Sequence, residues 1–338
     1  MKGRILHVDQ NRVLICQGRH IFYSNDKGLN WDKYFSIPCG FFLRFLLRSG
    51  VLSRLLRLGI HHFVMLSARR AVCIFNNEVL WLDVKTNKVA KRNKVEGRRP
   101  LSLIYHNESL YYGEYRSNAE RSSVHVWKAK VSEMFWNPVL TLSKVRHIHG
   151  VYFDFVEKNF WVTTGDDDCE SKVMLFSEGF SLIEVLLQGS QQTRVVQPVF
   201  TQKYVYFGSD APNERNNIYC YCRKKKIVEK VHEVDGPIYF GQFVGGVVFF
   251  STVVEPSEMN NATTVKLWAS LNGKDWKCID KYSWDKLSLR YFQYAQLVFP
   301  NQSLESDVLY FSEFATKNHL RLHILDVEKL IKEYFDQD

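Results

Sequence analysis

No stretch of this sequence stays apolar for long enough to span a bilayer as a helix, and residues 1–14 carry no apolar core of secretory-signal length. The expected location is the cytoplasm. Cysteine is present without a pattern: the seven residues are odd in number, none shows zinc-ligand spacing, and Cys220 and Cys222 fall on one expected strand. That argues against a zinc knuckle or disulfide framework and for free thiols in a reducing compartment. The basic run "CRKKK" at 222–226 lacks the interleaved aromatics of a stacking platform, so no nucleic acid is expected as partner.

The chain does have a large apolar fraction, 46% of 338 residues, and an aromatic content of 14%, with 24 Phe and 17 Tyr. Flat rings suit the pleated surface of strands, which makes an all-β fold the first expectation. Net charge is +9, from 45 Lys and Arg against 36 Asp and Glu, and it favours an anionic partner. One segment departs from the β pattern: "FFLRFLLRSGVLSRLLRLGI" at 41–60, whose apolar run is interrupted by Arg44, Arg48, Arg54 and Arg57. Its spacing predicts a basic, amphipathic helical insertion near 41–58. Such a helix either packs on the body of the protein or lies on an anionic membrane surface.

Several segments share one rhythm of apolar strand, aromatic strand ending in an acid, third strand and basic fourth strand. The copies begin near Arg98, Arg146, Arg194, Gly236 and Arg290; Arg99, Arg146 and Arg194 are spaced by 47 and 48 residues. Repeats of roughly 40 to 50 residues with four short strands each are the signature of propeller blades. Residues 60–97 supply another blade, and residues 3–37 read as the strands "RILHV", "RVLIC", "HIFYS" and "WDKYFSI". The expected fold is all-β: a single seven-bladed β-propeller over 1–338, with a helical insertion at 40–59 and a C-terminal helix at 327–335.

The stretch "YSNDKGLNW" carries Ser24, Asp26, Gly28 and Trp31 in the order Ser-x-Asp-x-Gly-x-x-Trp, and "SLNGKDW" at 270–276 is a shortened copy with Asn272 in the acidic place. This pattern resembles the Asp-box of the sialidase-like (BNR) propellers. In that family the box folds the turn between the third and fourth strands of a blade, so the resemblance implies scaffold rather than catalysis. Phe-Arg-Ile-Pro, found in catalytic sialidases, is absent. The middle of the chain, from "YYGEY" through "RHIHGV" and "WVTTGD" to "YFGSDAP", resembles propellers of bacterial polysaccharide gene clusters.

Propeller geometry then predicts which residues meet. The loop entering each innermost strand and the loop leaving each second strand open on one face, around the central channel. Arg99, Arg146, Arg194 and Arg290 hold the entry position; Glu114, Asp166, Asp210 and Glu313 hold the exit position. Three residues beyond each arginine stand Ser102, His149, Gln197 and Gln293, and His147 joins His149 in "RHIHG". Such a set suits an anionic glycan. A polysaccharide lyase needs a cation for the uronate carboxylate (Arg146, Arg194) and a base (His147 or His149), with a tyrosine to protonate the leaving oxygen. A glycoside hydrolase would instead pair two of Glu114, Asp166 and Asp210. A non-catalytic glycan- or protein-binding propeller is the third reading. In "GDDDCE", Asp167, Asp168 and Glu170 read equally well as a solvated turn. The sequence requires no cofactor, although His149 with Gln197 and Gln293 loosely resembles the His/Gln divalent-metal site of propeller oligogalacturonide lyases. A monomer is expected.

Overall fold

Apolar patterning separates the strands of each blade. Second strands are buried on both faces and read as unbroken apolar runs, as in "VVFFST" at Val247–Thr252, whereas fourth strands alternate, as in "KVAKRNK" at Lys88–Lys94. Blades stacked face to face bury the inner strands and leave one face of the outer strand in water. The computed structural model describes residues 1–9, 12–302 and 306–336, without the side chains of 301 and 302, and it is a seven-bladed β-propeller. Of the repeat copy that begins at Arg290, residues 303–305 lie outside the described residues.

The chain divides into two units. One comprises Met1–Val95 and Tyr282–Asp338. Its first sheet orders Arg4–Val8, Val13–Gln17, His20–Ser24 and Asp32–Ser36 as an antiparallel meander, and Asn301–Gln302 adds in parallel to the first strand. Its second sheet holds Ile60–Ser67, Arg70–Phe75, Glu78–Asp83 and Lys88–Lys94; its third holds Gln296–Val298, Val308–Phe314 and Leu322–Asp326. The insertion forms two helices, α1 (Phe41–Arg48) and α2 (Gly50–Leu55), where one was expected. They break at Ser49, whose hydroxyl accepts the Leu52 amide and caps α2. The C-terminal helix α3 spans Val327–Tyr334, with Asp326 as its cap.

Arg54 explains how the insertion is held. It is buried, ion-paired with Asp285, and its guanidinium lies 5.3 Å from the Phe292 ring centroid and 5.8 Å from that of Phe314. Arg44, Arg48 and Arg57 are exposed, so the four arginines of the run divide into one anchor and three surface charges.

The other unit, Glu96–Lys281, contains four complete blades. Their first strands are Ile104–His106, His147–Asp154, Pro198–Phe200 and Ile238–Val244; their second strands are Ser109–Gly113, Asn159–Gly165, Tyr204–Gly208 and Val247–Thr252. Between the second and third of these blades, Trp161, Val173, Val195, Phe207 and Tyr221 form a buried cluster. Arg223, from the basic run, is buried there too. It makes a bidentate pair with Asp154 and donates to the Thr201 carbonyl, while Lys226 meets Glu157 at 2.6 Å.

Both Ser…Trp turns join third to fourth strands and share one hydrogen-bond scheme. Gly28 N donates to Ser24 Oγ (2.8 Å) and Gly273 N to Ser270 Oγ (2.9 Å); Trp31 and Trp276 donate Nε1–H to the carbonyls of Gly28 and Gly273. Both glycines have positive φ, 91° and 72°, as a left-handed turn position demands. The Asn30 amide first, then the Ser24 hydroxyl, pull the Asp26 carboxyl down to about 2.

Candidate functional site

In a regular strand, residues two apart share a face but sit roughly 6.6 Å from one another along the chain. "RHIHG" departs from this by a β-bulge. Ile148 pairs with Thr164 and Gly150 with Thr163, leaving His149 as the extra residue. The bulge turns its imidazole back toward His147, bringing the ring centroids to 5.0 Å and the two Nε2 atoms to 3.1 Å. Gly165, paired with His147, leaves the necessary space, since a Cβ there would lie 2.9 Å from His149 Cε1 and 3.0 Å from Arg194 Cγ.

Asp166 follows directly and is the hub. Its Oδ1 lies 3.3 Å from His147 Nε2, 3.6 Å from His149 Nε2 and 3.5 Å from an Arg194 nitrogen, and its Oδ2 accepts from Arg146 at 2.9 Å. Burial alone would raise its pKa, but the hydrogen bonds from the two histidines hold the carboxyl far below the usual range. His147 Nδ1 sits 3.2 Å from the Arg116 carbonyl. A carbonyl only accepts, so Nδ1 carries a proton, and Nε2 faces His149 and Asp166. His149 is buried and its Nδ1 has no hydrogen-bond partner. Burial outweighs the bond to Asp166 and, with the fields of His147 and Arg194, pushes its pKa down to about 4.

Arg194 extends the cluster to Asp210, at 3.0 Å. Asp210 is buried, with Oδ1 unpartnered, and burial lifts its pKa to about 7 despite the opposing field of Arg194. Side-chain exposure rises from 2% at His149 and 5% at His147 to 21% at Asp166 and 36% at Arg146, so the cluster is approached from the Arg146 side.

Thus His147, His149, Asp166, Arg146, Arg194 and Asp210 are brought together. Glu114 is buried one strand away, bound to Arg116 (2.8 Å) and to the His125 amide. Ser102 accepts the Val151 amide and staples adjacent blades. Arg99 is half-buried with a left-handed φ of 47°, and Gln197 is half-buried ahead of strand Pro198–Phe200. Arg290, Gln293 and Glu313 belong to the other unit. There, Glu313 lies inside a strand rather than beyond it and binds His323 (2.9 Å) and Thr316 (2.6 Å). Arg290 is exposed, 5.6 Å from the Tyr291 ring centroid, and Gln293 Oε1 is buried without a hydrogen-bond partner.

Sequence reasoning missed several members. Tyr115 packs on His147 at 4.1 Å between ring centroids, and Arg116 supplies the carbonyl that sets the His147 tautomer. Glu170, read with its neighbours as a solvated turn, is 1% exposed; it accepts the Arg146 amide at 2.6 Å and pairs with Arg121. Tyr239 is the extra residue of an equivalent bulge between Ile238 and Phe240, and its hydroxyl donates to Glu255. Adjacency to the strand-end Glu114 could have flagged Tyr115; nothing local marks Tyr239. One ligand-type atom from each of His147, His149 and Asp166 falls within 4.8 Å of the others, the one such set among the described residues.

Comparison with known proteins places the fold and no more. No protein-family model matches the chain, and no curated protein matches it. Among solved structures, a chain from "Crystal Structure of Mitotic Checkpoint Complex" aligns over 96% of this chain and 89% of its own, with 10% identity and a TM-score of 0.61. The "Crystal structure of the tricorn protease" aligns over 96% of this chain and 35% of its own, with 9% identity and a TM-score of 0.53. At such identities the likeness defines a class, the β-propellers, and leaves activity to the site.

Proposed function

We propose that this propeller binds a carboxylate-bearing polysaccharide at the Arg146–Asp166 cluster and cleaves it by elimination. The observation that carries the reading is the convergence of Arg146, Arg194, His147 and His149 on one partly exposed carboxylate, with Tyr115 against His147. Elimination requires compensation of the uronate charge, removal of the adjacent proton and protonation of the leaving oxygen. Arg146, the most exposed cation of the set, meets the carboxylate. Tyr115 exchanges the proton. Arg194 and the histidines form the polar floor beside it, and Asp166 holds them in place. The two matching Ser…Trp turns support kinship with the sialidase-like propellers, whose scaffold hosts several chemistries.

The test is incubation with a panel of acidic and neutral polysaccharides followed by mass spectrometry. Fragments lighter than hydrolysis products by one water, lost in Arg146→Ala and Tyr115→Phe, support the proposal. Fragments carrying the added water transfer the reaction to Asp166 and Asp210. Binding without cleavage makes the cluster a recognition site.

A second reading concerns the insertion. Phe41, Phe42 and Phe45 of α1 are 87%, 73% and 59% exposed, interspersed with exposed Arg44 and Arg48, and no Asp or Glu occurs between Asp32 and Glu78. Exposed aromatics within a purely basic segment fit the headgroup zone of an anionic bilayer. Co-sedimentation with phosphatidylglycerol vesicles, absent with phosphatidylcholine and abolished by Phe41→Ser/Phe42→Ser/Phe45→Ser, is the expected result. Equal binding by this triple variant refutes it.

A further inference from the structure

We infer that His147, His149 and Asp166 are a binding site for one divalent transition-metal ion of the zinc class, with a fourth position open toward Arg146. The inference goes beyond the glycan reading and does not need it. At bonds of about 2.0–2.1 Å and tetrahedral angles, two ligand atoms on one zinc ion lie about 3.3 Å apart. The three edges here are 3.1 Å between the Nε2 atoms, and 3.3 and 3.6 Å from those atoms to Asp166 Oδ1. They therefore describe one face of a tetrahedron of the right size.

Three further features agree with a ligand set. His147 spends its Nδ1–H on the Arg116 carbonyl, the outer-shell bond that fixes a ligating imidazole with its lone pair toward the ion. His149 has its hydrogen-bond and ion-pair contacts through Nε2, its Nδ1 having no hydrogen-bond partner, and it is placed there by the bulge. Two imidazoles and one carboxylate leave a position free, as catalytic zinc sites do, and the half-buried Asp166 and Arg146 are the more exposed members beside it.

Charge is no obstacle. Arg116, Arg121, Arg146 and Arg194 face Glu114, Asp167, Glu170, Asp166 and Asp210, four cations against five carboxyl groups. In the reaction proposed above, an ion at this position would compensate the uronate charge together with Arg146 and leave the proton to Tyr115.

The experiment uses the full chain with its thiols alkylated, stripped with EDTA and titrated with Co²⁺ and then Zn²⁺. One Co²⁺ per chain, giving the intense visible bands of four-coordinate nitrogen and oxygen ligation and displaced by Zn²⁺, is expected. Affinity should fall at least tenfold in His149→Gln and in Asp166→Asn. No saturation at one ion per chain, the weak spectrum of a six-coordinate ion, or unchanged affinity in both variants overturns the inference. Should both variants unfold, as judged by circular dichroism, the wild-type stoichiometry and spectrum decide alone. Metal binding without glycan cleavage sinks only the proposed reaction; EDTA-insensitive cleavage by a chain that binds no ion sinks only the metal.

Discussion

The Nδ1–H of His147 is committed to the backbone carbonyl of Arg116, 3.2 Å away, so the ring's other nitrogen, Nε2, faces His149 and Asp166 rather than water. Two imidazoles and a carboxylate are held in this way by backbone features: a carbonyl, a bulge and a missing side chain at position 165.

That dependence predicts the outcome of Gly165→Ala. The new methyl meets the movable rings and stems of His149 and Arg194 rather than backbone, so the fold survives with a loss of about 1–3 kcal/mol. The His149 ring must shift, however. Imidazole proton and nitrogen resonances of His147 and His149 should move while those of distant His232 stay; unmoved resonances would show that the glycine has no positioning role.

Breaking the Arg223–Asp154 pair should be costly, because either partner left alone is a buried charge. Asp154→Leu is expected to lower unfolding free energy by about 3–5 kcal/mol, and the double variant Asp154→Leu/Arg223→Met to recover most of it. Denaturant midpoints for the four members of this cycle measure the effect, and a loss below about 1 kcal/mol for Asp154→Leu would contradict it.

His319 makes stability depend on pH. Burial, then the positive field of Arg54, with Arg4 and Lys2 behind it and only Asp285 opposing, pushes its pKa down to about 4, while Nδ1 accepts the Ala315 amide. Between about 4 and 6.5 the unfolded chain binds more protons at this position than the folded one, so stability rises with pH across that window. The contribution is complete above 6.5 and lost as pH falls toward 4. His319→Asn keeps an acceptor and removes the titration. The stability of wild type relative to this variant should therefore fall by roughly 3 kcal/mol from pH 7.5 to pH 4, and a pH-independent difference would exclude the assignment.

At the Ser24–Trp31 turn, Gly28→Ala should destabilise more than Ser24→Ala. The first places a side chain at φ 91° with its Cβ 2.8 Å from Ile324 Cδ1, whereas the second removes a hydroxyl worth about 1–2 kcal/mol. Thermal unfolding of the two variants ranks them, and the reverse order would place the turn's strength in the hydroxyl.

The blade count was legible because it rests on local apolar runs repeated at a near-constant spacing, and the pairing of Arg146 with Asp166 and of Arg194 with Asp210 followed from that repeat. What the repeat could not supply is register. Whether His149 faces its neighbour depends on one extra residue against Thr163 and Thr164, and no side chain in "RHIHG" announces it. Burial of charge was equally hidden: nothing local marks Arg54, Glu170 or Arg223 as buried, because their partners, Asp285, Arg121 and Asp154, lie 231, 49 and 69 residues away. Glu313 fell inside its strand because the pairing runs on past it, with Leu297 opposite Glu313 and Gln296 opposite Phe314.

The unit that holds α1 and α2 is discontinuous, and this bears on how the chain is made. Ile5 bonds to Ser312 across 307 residues, Gly3 to the Leu320 carbonyl, and Arg54 waits for Asp285. Residues 96–281 intervene, and a ribosome adding about 5–20 residues per second needs roughly 10 to 40 s to deliver them. During that interval the four blades of the second unit emerge in sequence and each can pair its own strands as it leaves. Gly3, Ile5 and the arginine of α2 stay without these partners until residues 285–320 have been made, so residues 3–54 wait longest for their tertiary contacts.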